Sequence, residues 1–456
     1  MSDAAEPPSP RQRALGAVAS VAAAALAAAL APPELRAALA LFAGIGGLWL
    51  TQALPLPVTA LLVPLVAVPA GLATPGAALA PFAHPVIFLF LGGLALAAAL
   101  QRQGLDRALA QQVRRWTGGH RLGGVIALAG LTALLSMWMS NTATAAMVLP
   151  LALGLLDDTP PGEPRAGLRE RQFVLLALAY SASLGGMATL VGSPPNTIAA
   201  AQAGIGFAEW LAYALPAVLL LWPAMLALLW WRVGPDLCGR TAVAPAAPFE
   251  WTRERRLTVA IFALTVAGWI GGTPLAAALG IKADIDTLVA LAAVVALVAT
   301  GVLGWPDLER GTPWGVLLLF GGGLSLSALM QDSGASRFLA ESVLAAVAGA
   351  PAWLVVLGIV AFVVFLTELV SNTGSAALLL PVFLPLAATL GLDGAGAAAV
   401  IALAASCAFM LPVATPPNAL VFATGQVPAA TMRQCGLWLN GVGIVVLTAL
   451  AVWTWT

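Results

Sequence analysis

The chain has 456 residues, of which 61% are hydrophobic and only 9% charged, with twenty basic residues balanced by twenty acidic ones. No water-soluble domain of this size could carry that composition on its surface, so a soluble fold is excluded and a polytopic membrane protein is left, with no nucleic-acid partner expected. Apolar runs of about 20 residues, the length a helix needs to cross the hydrocarbon core, recur throughout, whereas alternating ten-residue strands do not. The expected class is an all-α membrane protein.

Arg11 and Arg13 precede the first apolar run, 14 to 32. A basic start and small residues near its end also suit a secretory signal, but the run is long enough to span and many spans follow it. Further crossings are expected near 37 to 54, 56 to 73 and 84 to 101, with His84 at the entrance of the last as an interfacial polar residue. The next stretch, 104 to 116, is amphipathic and sets Leu105, Leu109, Val113 and Trp116 opposite Arg107, Arg114 and Arg115. Segment 122 to 156 is too long for one crossing, yet its flanks are both rich in Arg and so both cytoplasmic. A re-entrant hairpin meets both conditions, with Ser140, Asn141 and Thr142 at its tip. Segment 172 to 205 is again too long for a simple crossing and contains Pro194 and Pro195. After a span at 207 to 231 comes a polar, Arg-rich linker, 234 to 257, expected in the cytoplasm.

The second half repeats this order. Spans are expected at 258 to 276, 284 to 303 and 313 to 330, then an amphipathic stretch at 335 to 347 and a second hairpin at 352 to 388 with Ser371, Asn372 and Thr373 at its tip. A long segment with Pro416 and Pro417, 390 to 425, and a last span, 434 to 455, complete the chain. Residues 90–110 align without gaps on 320–340, with identity at 11 of 21 positions, and "GSPPNT" from 192 is answered by "ATPPNA" from 414. The basic residues that mark 102 to 121 as cytoplasmic are scarce in 331 to 350. The halves, 1 to 233 and 258 to 456, are therefore expected to be inverted-topology repeats, with about eleven crossings, two re-entrant hairpins and a cytoplasmic N-terminus.

Backbone at a hairpin tip is tolerated in a membrane only when buried in protein or facing a watery cavity, so the tips mark a cavity. Ser140 and Ser371 are candidate N-caps for half-helices starting at Asn141 and Asn372, whose free N–H groups and positive dipole ends would favour an anion. The Pro-Pro pairs should free the carbonyls of Leu190, Val191, Pro412 and Val413, which suit a small hard cation such as Na⁺. Each feature alone is more often a kink or a local hydrogen bond; the duplicated set, in the same order, argues for a site. Glu368, a carboxylate in the middle of an apolar run, is either a proton or cation partner or a hydrogen-bonded structural residue. Cys238, Cys407 and Cys435 show neither disulfide nor metal spacing. With no Asp-rich motif, His pair or activated nucleophile, a membrane enzyme is disfavoured, and broken inverted repeats fit alternating access better than a channel.

"MSNTATAAMVLP", "TELVSNTGSAALLLPV", "GSPPN" and "FMLPVATPPNALVFATG" together resemble the divalent anion/sodium symporter family, which contains sodium-coupled dicarboxylate and citrate carriers. The resemblance covers nearly the whole chain. It implies a homodimer in a bacterial-type inner membrane, whose protomers move substrate by an elevator-like shift. By similarity, Asn141, Thr142, Ser371, Asn372 and Thr373 would hold substrate carboxylates, assisted by Ser193 and Thr415. One Na⁺ would be bound by Ser136, Ser140 and Asn141 with backbone near Gly192, and another by Thr367 and Asn372 with backbone near Val370 and Ala414. Those matched residues include no Lys, Arg or His, so cations must enter with the substrate. A succinate-like C4 dicarboxylate is the first expectation, with citrate, sulfate or another divalent anion, or exchange without Na⁺, as alternatives. The second tip departs from the first in having Gly374 and Ser375 where the first has Ala143 and Thr144, which bears on pocket size.

Overall fold

The computed structural model describes residues 9–116, 120–157, 167–239, 249–278, 280, 285–347, 349–389 and 393–453, and every regular element among them is helical. Among the described residues, six helical stretches are long and apolar enough to cross a membrane: Pro10–Leu30, Pro33–Thr51, Pro75–Arg102, Phe207–Val233, Trp314–Asp332 and Ala429–Trp453. The crossing expected at 56 to 73 is shorter, a helix Leu56–Ala67 followed by a turn at Gly71, whose φ of +72° suits glycine. His84 caps the helix Pro85–Arg102 by accepting the Val86 N–H on Nδ1. The amphipathic stretches are the helices Leu105–Trp116 and Ala335–Ala346.

Each expected hairpin is a pair of helices around a short turn: Arg121–Ser136 with Asn141–Asp157, and Ala352–Thr367 with Asn372–Thr389. A limb of 16 residues is about 24 Å long, short of the roughly 30 Å hydrocarbon core, so neither first limb could cross alone. The two overlong segments are each broken. Leu168–Met187 stops, the chain unwinds over 188–193, and Pro194–Ala203 resumes; Gly394–Ala405 stops, and Pro416–Ala423 follows after 406–415.

The break helices form the centre. Every residue of Leu168–Met187 from Gln172 onward is buried, as is every residue of Gly394–Ala405 from Gly396 onward. Their packing is crossed. The short helix Pro194–Ala203 of the first half lies against Asn372–Thr389 and Gly394–Ala405 of the second, while Pro416–Ala423 lies against Asn141–Asp157 and Leu168–Met187. By contrast, Pro10–Leu30 buries only Gly16 and Ser20, against Arg36–Thr51.

Apolar side chains gain nothing by leaving lipid for protein, so close approach through small residues has to hold such a bundle together. The repeated Gly-Gly shows this. A Cβ on Gly92 would lie 2.6 Å from the Ala290 Cβ, and one on Gly322 2.5 Å from the Ala60 Cβ. Gly436 of the last helix sits against the Phe409 backbone, where a Cβ would fall 2.2 Å from the carbonyl oxygen, whereas a Cβ on Gly441 meets nothing within 4 Å. Gly436→Val is therefore expected to cost about 2 kcal/mol by overpacking. Thermal unfolding of the purified protein should show a clear fall for this variant and a much smaller change for Gly441→Val.

Candidate functional site: two hairpin tips against two helix breaks

Four helices begin at this centre, at Asn141, Pro194, Asn372 and Pro416. The Ser140 hydroxyl accepts the Ala143 N–H at 3.2 Å, the capping bond expected of it, and its carbonyl accepts the Thr144 N–H. At the second tip the Ser371 carbonyl accepts the Ser375 N–H at 2.8 Å, so this half-helix also starts at Asn372. Ser193 and Thr415 are the N-caps of the two short helices. Thr415 spends its hydroxyl on the Asn418 N–H, while Ser193 makes no capping bond with its side chain. Asn141, Ser371, Asn372 and Thr373 are half-buried, Ser140 and Thr142 exposed, and Ser193 and Thr415 buried.

Each tip meets the helix that precedes a break through a similar three-oxygen cluster, at Ala182 inside Leu168–Met187 and at Ala405, the last residue of Gly394–Ala405. In the first half the Ser136 hydroxyl lies 2.7 Å from Asn141 Oδ1 and 2.7 Å from the Ala182 carbonyl oxygen. In the second the Thr367 hydroxyl lies 2.8 Å from Asn372 Oδ1 and 2.6 Å from the Ala405 carbonyl oxygen. A hydroxyl has one proton and cannot donate fully to two acceptors, so each cluster holds more oxygen lone pairs than protons. The first is also tight. A Cβ on Gly192 would fall 2.9 Å from the Ser136 carbonyl oxygen, where only glycine fits, and one on Gly186 would fall 2.2 Å from Asn141 Oδ1 and push that amide away from the cluster.

The family resemblance groups Ser136 with Asn141 and Thr367 with Asn372, and the structure places each pair within hydrogen-bond distance. It places the Ala405 carbonyl at the second cluster, and the Ala414 N–H donates to the Leu411 carbonyl. The Val370 N–H donates to Leu366 as the first limb ends. The carbonyls of Ala182 and Ala405 are not among the expected ligands, because nothing in an Ala-rich run marks which residue stands opposite a hydroxyl.

The prolines act differently from expectation. Both pairs occupy the first two positions of a short helix, where a missing N–H costs nothing, so they take no bond from a helix behind them. The unwound chain frees the carbonyls instead, and the asparagine after each pair recovers them. Asn196 Nδ2 reaches the carbonyl oxygens of Gly186 at 2.9 Å and Thr189 at 2.7 Å, and Asn418 Nδ2 those of Ala408 and Leu411 at 3.1 Å each. Thr197 donates to the Leu190 carbonyl, Trp210 Nε1 to that of Met187 and Tyr180 to that of Phe409. Thr189 links the first break to the hairpin by donating to the Met137 carbonyl and accepting the Gly192 N–H. The first tip is further held by Trp138, which stacks on Phe207 at 6.0 Å and meets Phe262 edge-on at 5.1 Å.

The sequence profile of the citrate transporter family matches residues 46–287 and 285–455. The chain belongs to this family. It is an integral membrane transporter of the citrate and dicarboxylate group, not an enzyme. It is 45% identical over 442 residues to an uncharacterized transporter of Haemophilus influenzae, covering 93% of this chain and 92% of that one. It is 32% identical over 439 residues to the sodium-dependent dicarboxylate transporter SdcS of Staphylococcus saprophyticus, covering 88% of this chain and 82% of the relative. Among solved structures the fold is similar to the YdaH transporter of Alcanivorax borkumensis, with a TM-score of 0.58 at 18% identity over 82% of this chain and 87% of that one. It is also similar to MtrF of Neisseria gonorrhoeae, with a TM-score of 0.56 at 14% identity over 99% and 96%.

Asn196→Ala removes the side chain that recovers the first break's carbonyls and should cost about 2–3 kcal/mol, from two lost hydrogen bonds and the buried carbonyls left unpaired. The thermal midpoint should fall, and Asn418→Ala should show a similar loss at the second break.

Proposed function

We propose that the protein is a sodium-coupled symporter of C4 dicarboxylates, succinate-like in size, working by elevator-type alternating access. The observation that carries this reading is the pair of proton-poor oxygen clusters. Hydroxyl, amide and backbone carbonyl oxygens converging on one point are the ligands a small hard cation takes at an unwound helix. Ser136, Asn141 and the Ala182 carbonyl, with Ser140 and the backbone at Gly192 beside them, would hold one Na⁺. Thr367, Asn372 and the Ala405 carbonyl would hold the second, with the turn from Val370 and the stretch before Thr415 completing its surroundings.

The anion would sit between the tips. Helix N-termini at Asn141 and Asn372 direct N–H groups and positive dipole ends to the same side as the asparagine amides. Thr142, Ser371 and Thr373 add hydroxyls at the tips, and Ser193 and Thr415 add theirs from the breaks. None of these residues is cationic, so a dianion without accompanying cations would be buried uncompensated, at prohibitive cost. Sodium removes that cost. Whenever more positive than negative charge moves, the membrane potential adds about 2.3 kcal/mol per net charge per 100 mV.

In the same reading the chain crosses the inner membrane about eleven times as two inverted repeats, 1–233 and 258–456, with the N-terminus and the 234–257 linker in the cytoplasm, and pairs with a second copy. The sodium dependence and dicarboxylate substrate of the SdcS relative support the choice of ion and anion. The citrate family profile favours citrate as the second substrate to consider.

Uptake of labelled succinate into proteoliposomes tests this. Transport should require an inward Na⁺ gradient, and competition by citrate and sulfate should rank the anions. Asn141→Ala and Asn372→Ala should each lower uptake roughly tenfold or more, as the loss of one strong ligand to a charged species predicts. Uptake that ignores Na⁺, or that survives both substitutions, would sink the mechanism.

A further inference from the structure

The two clusters are alike in oxygen geometry and unlike in charge. Glu368 follows Thr367 directly and is 3% exposed. Its Oε1 accepts the N–H groups of Phe409 at 2.7 Å and Met410 at 2.8 Å, and its Oε2 accepts that of Leu411 at 3.0 Å. Asn440 of the last helix donates its amide to Oε1 at 2.8 Å, while its own amide oxygen is buried with no partner. All four donors are neutral. No Lys, Arg or His pairs with Glu368 among the described residues. Four N–H groups aimed at one carboxylate satisfy its lone pairs, but they supply no counter-charge.

The first half has nothing equivalent. Matching Ser136, Asn141 to Thr367, Asn372 puts Met137 where Glu368 stands, and the staple between that tip and its break is the neutral hydroxyl of Thr189. A buried carboxylate with no cationic partner among the described residues therefore stands next in the chain to the hydroxyl of one cluster only.

We propose that Glu368 is a positioning residue and fixed counter-charge that makes the two sodium sites unequal: the site at Thr367, Asn372 and Ala405 binds its cation more tightly and fills first. The inference rests on the sodium reading above and deepens it. Glu368 does two things at once. It holds the unwound stretch 409–411, which follows the helix ending at Ala405, in the shape that presents the carbonyl. It also supplies the unit charge that the oxygen ligands lack. The site at Ser136 and Asn141, without such a charge, would fill afterwards and would depend more on the arriving dianion.

Sodium-dependent thermal stabilisation of the purified, substrate-free protein reads each site without requiring transport. Ser136→Ala leaves the second site to be measured alone, and Thr367→Ala leaves the first. In the Ser136→Ala background, Glu368→Gln should raise the sodium concentration for half-maximal stabilisation about tenfold, the scale of a close charge interaction at an intermediate effective dielectric. In the Thr367→Ala background it should raise it by less than about twofold. Glu368→Asp keeps the charge but withdraws it by one methylene, and should weaken the second site selectively by a smaller factor; it serves as the test if the Gln variant does not fold. Equal shifts in both backgrounds would mean that Glu368 is only a staple, and no shift in either would mean that it does not act on the cation; both overturn the proposal. A protein that shows no sodium response in any form, wild type included, would instead overturn the sodium reading itself.

Discussion

A helix that stops inside an apolar interior leaves carbonyl and N–H groups with no water to pair them, and this chain does so twice. Pairing those groups within the protein is the constraint on which the rest of the centre depends. It explains why an asparagine follows each Pro-Pro pair and why Trp210, Thr197 and Tyr180 turn their polar atoms toward the breaks. It also explains why a carboxylate is tolerated at Glu368: three consecutive N–H groups of an unwound stretch are what a buried carboxylate needs. What is left after this pairing is small and specific, a few oxygens at each tip with too few protons among them.

The breaks must also be reached closely by their neighbours. Gly186 lets the Asn141 amide oxygen come within what would be overlap distance of any side chain, and Gly93 does the same for Val191, where a Cβ would lie 2.1 Å from a methyl carbon. The repeated Gly-Gly thus ties the helix Pro85–Arg102 to the first break, while a Cβ on Gly323 would lie 3.2 Å from the Ala377 Cβ of the second hairpin. Small residues do for this bundle what large apolar ones do for a soluble core, because contact distance, not area withdrawn from water, is what association inside lipid depends on.

Much of this is legible in the sequence, for identifiable reasons. The start of each half-helix at Asn141 and Asn372 follows from Ser before a helix-forming run, and both segments with Pro-Pro are too long for one uninterrupted crossing. The grouping of Ser136 with Asn141 comes through family resemblance, and five residues bring a first limb's end and a second limb's start together across a tight turn. What is not legible depends on contacts between residues far apart in the chain. Ala182 and Ala405 contribute backbone oxygen, which no side chain advertises. The role proposed for Glu368 rests on Asn440, 72 residues away, and on an unwound stretch whose N–H groups can be counted only once its path is seen. The prolines mislead for a simpler reason: their effect depends on whether they sit inside a helix or at its start, and the letters are the same in both cases.

The crossed packing has a consequence of its own. Pro194–Ala203 of the first half rests on the second hairpin's inner limb, and Pro416–Ala423 of the second half rests on the first hairpin's inner limb. Each half therefore carries part of the other's wall, and displacing either short helix requires the opposite limb to follow. Linkage then works in both directions: any occupant that steadies one half lowers the free energy of filling the other by the same amount that it receives in return. In the proposed reading, the occupants of the two halves would be felt through these shared walls, whichever site fills first.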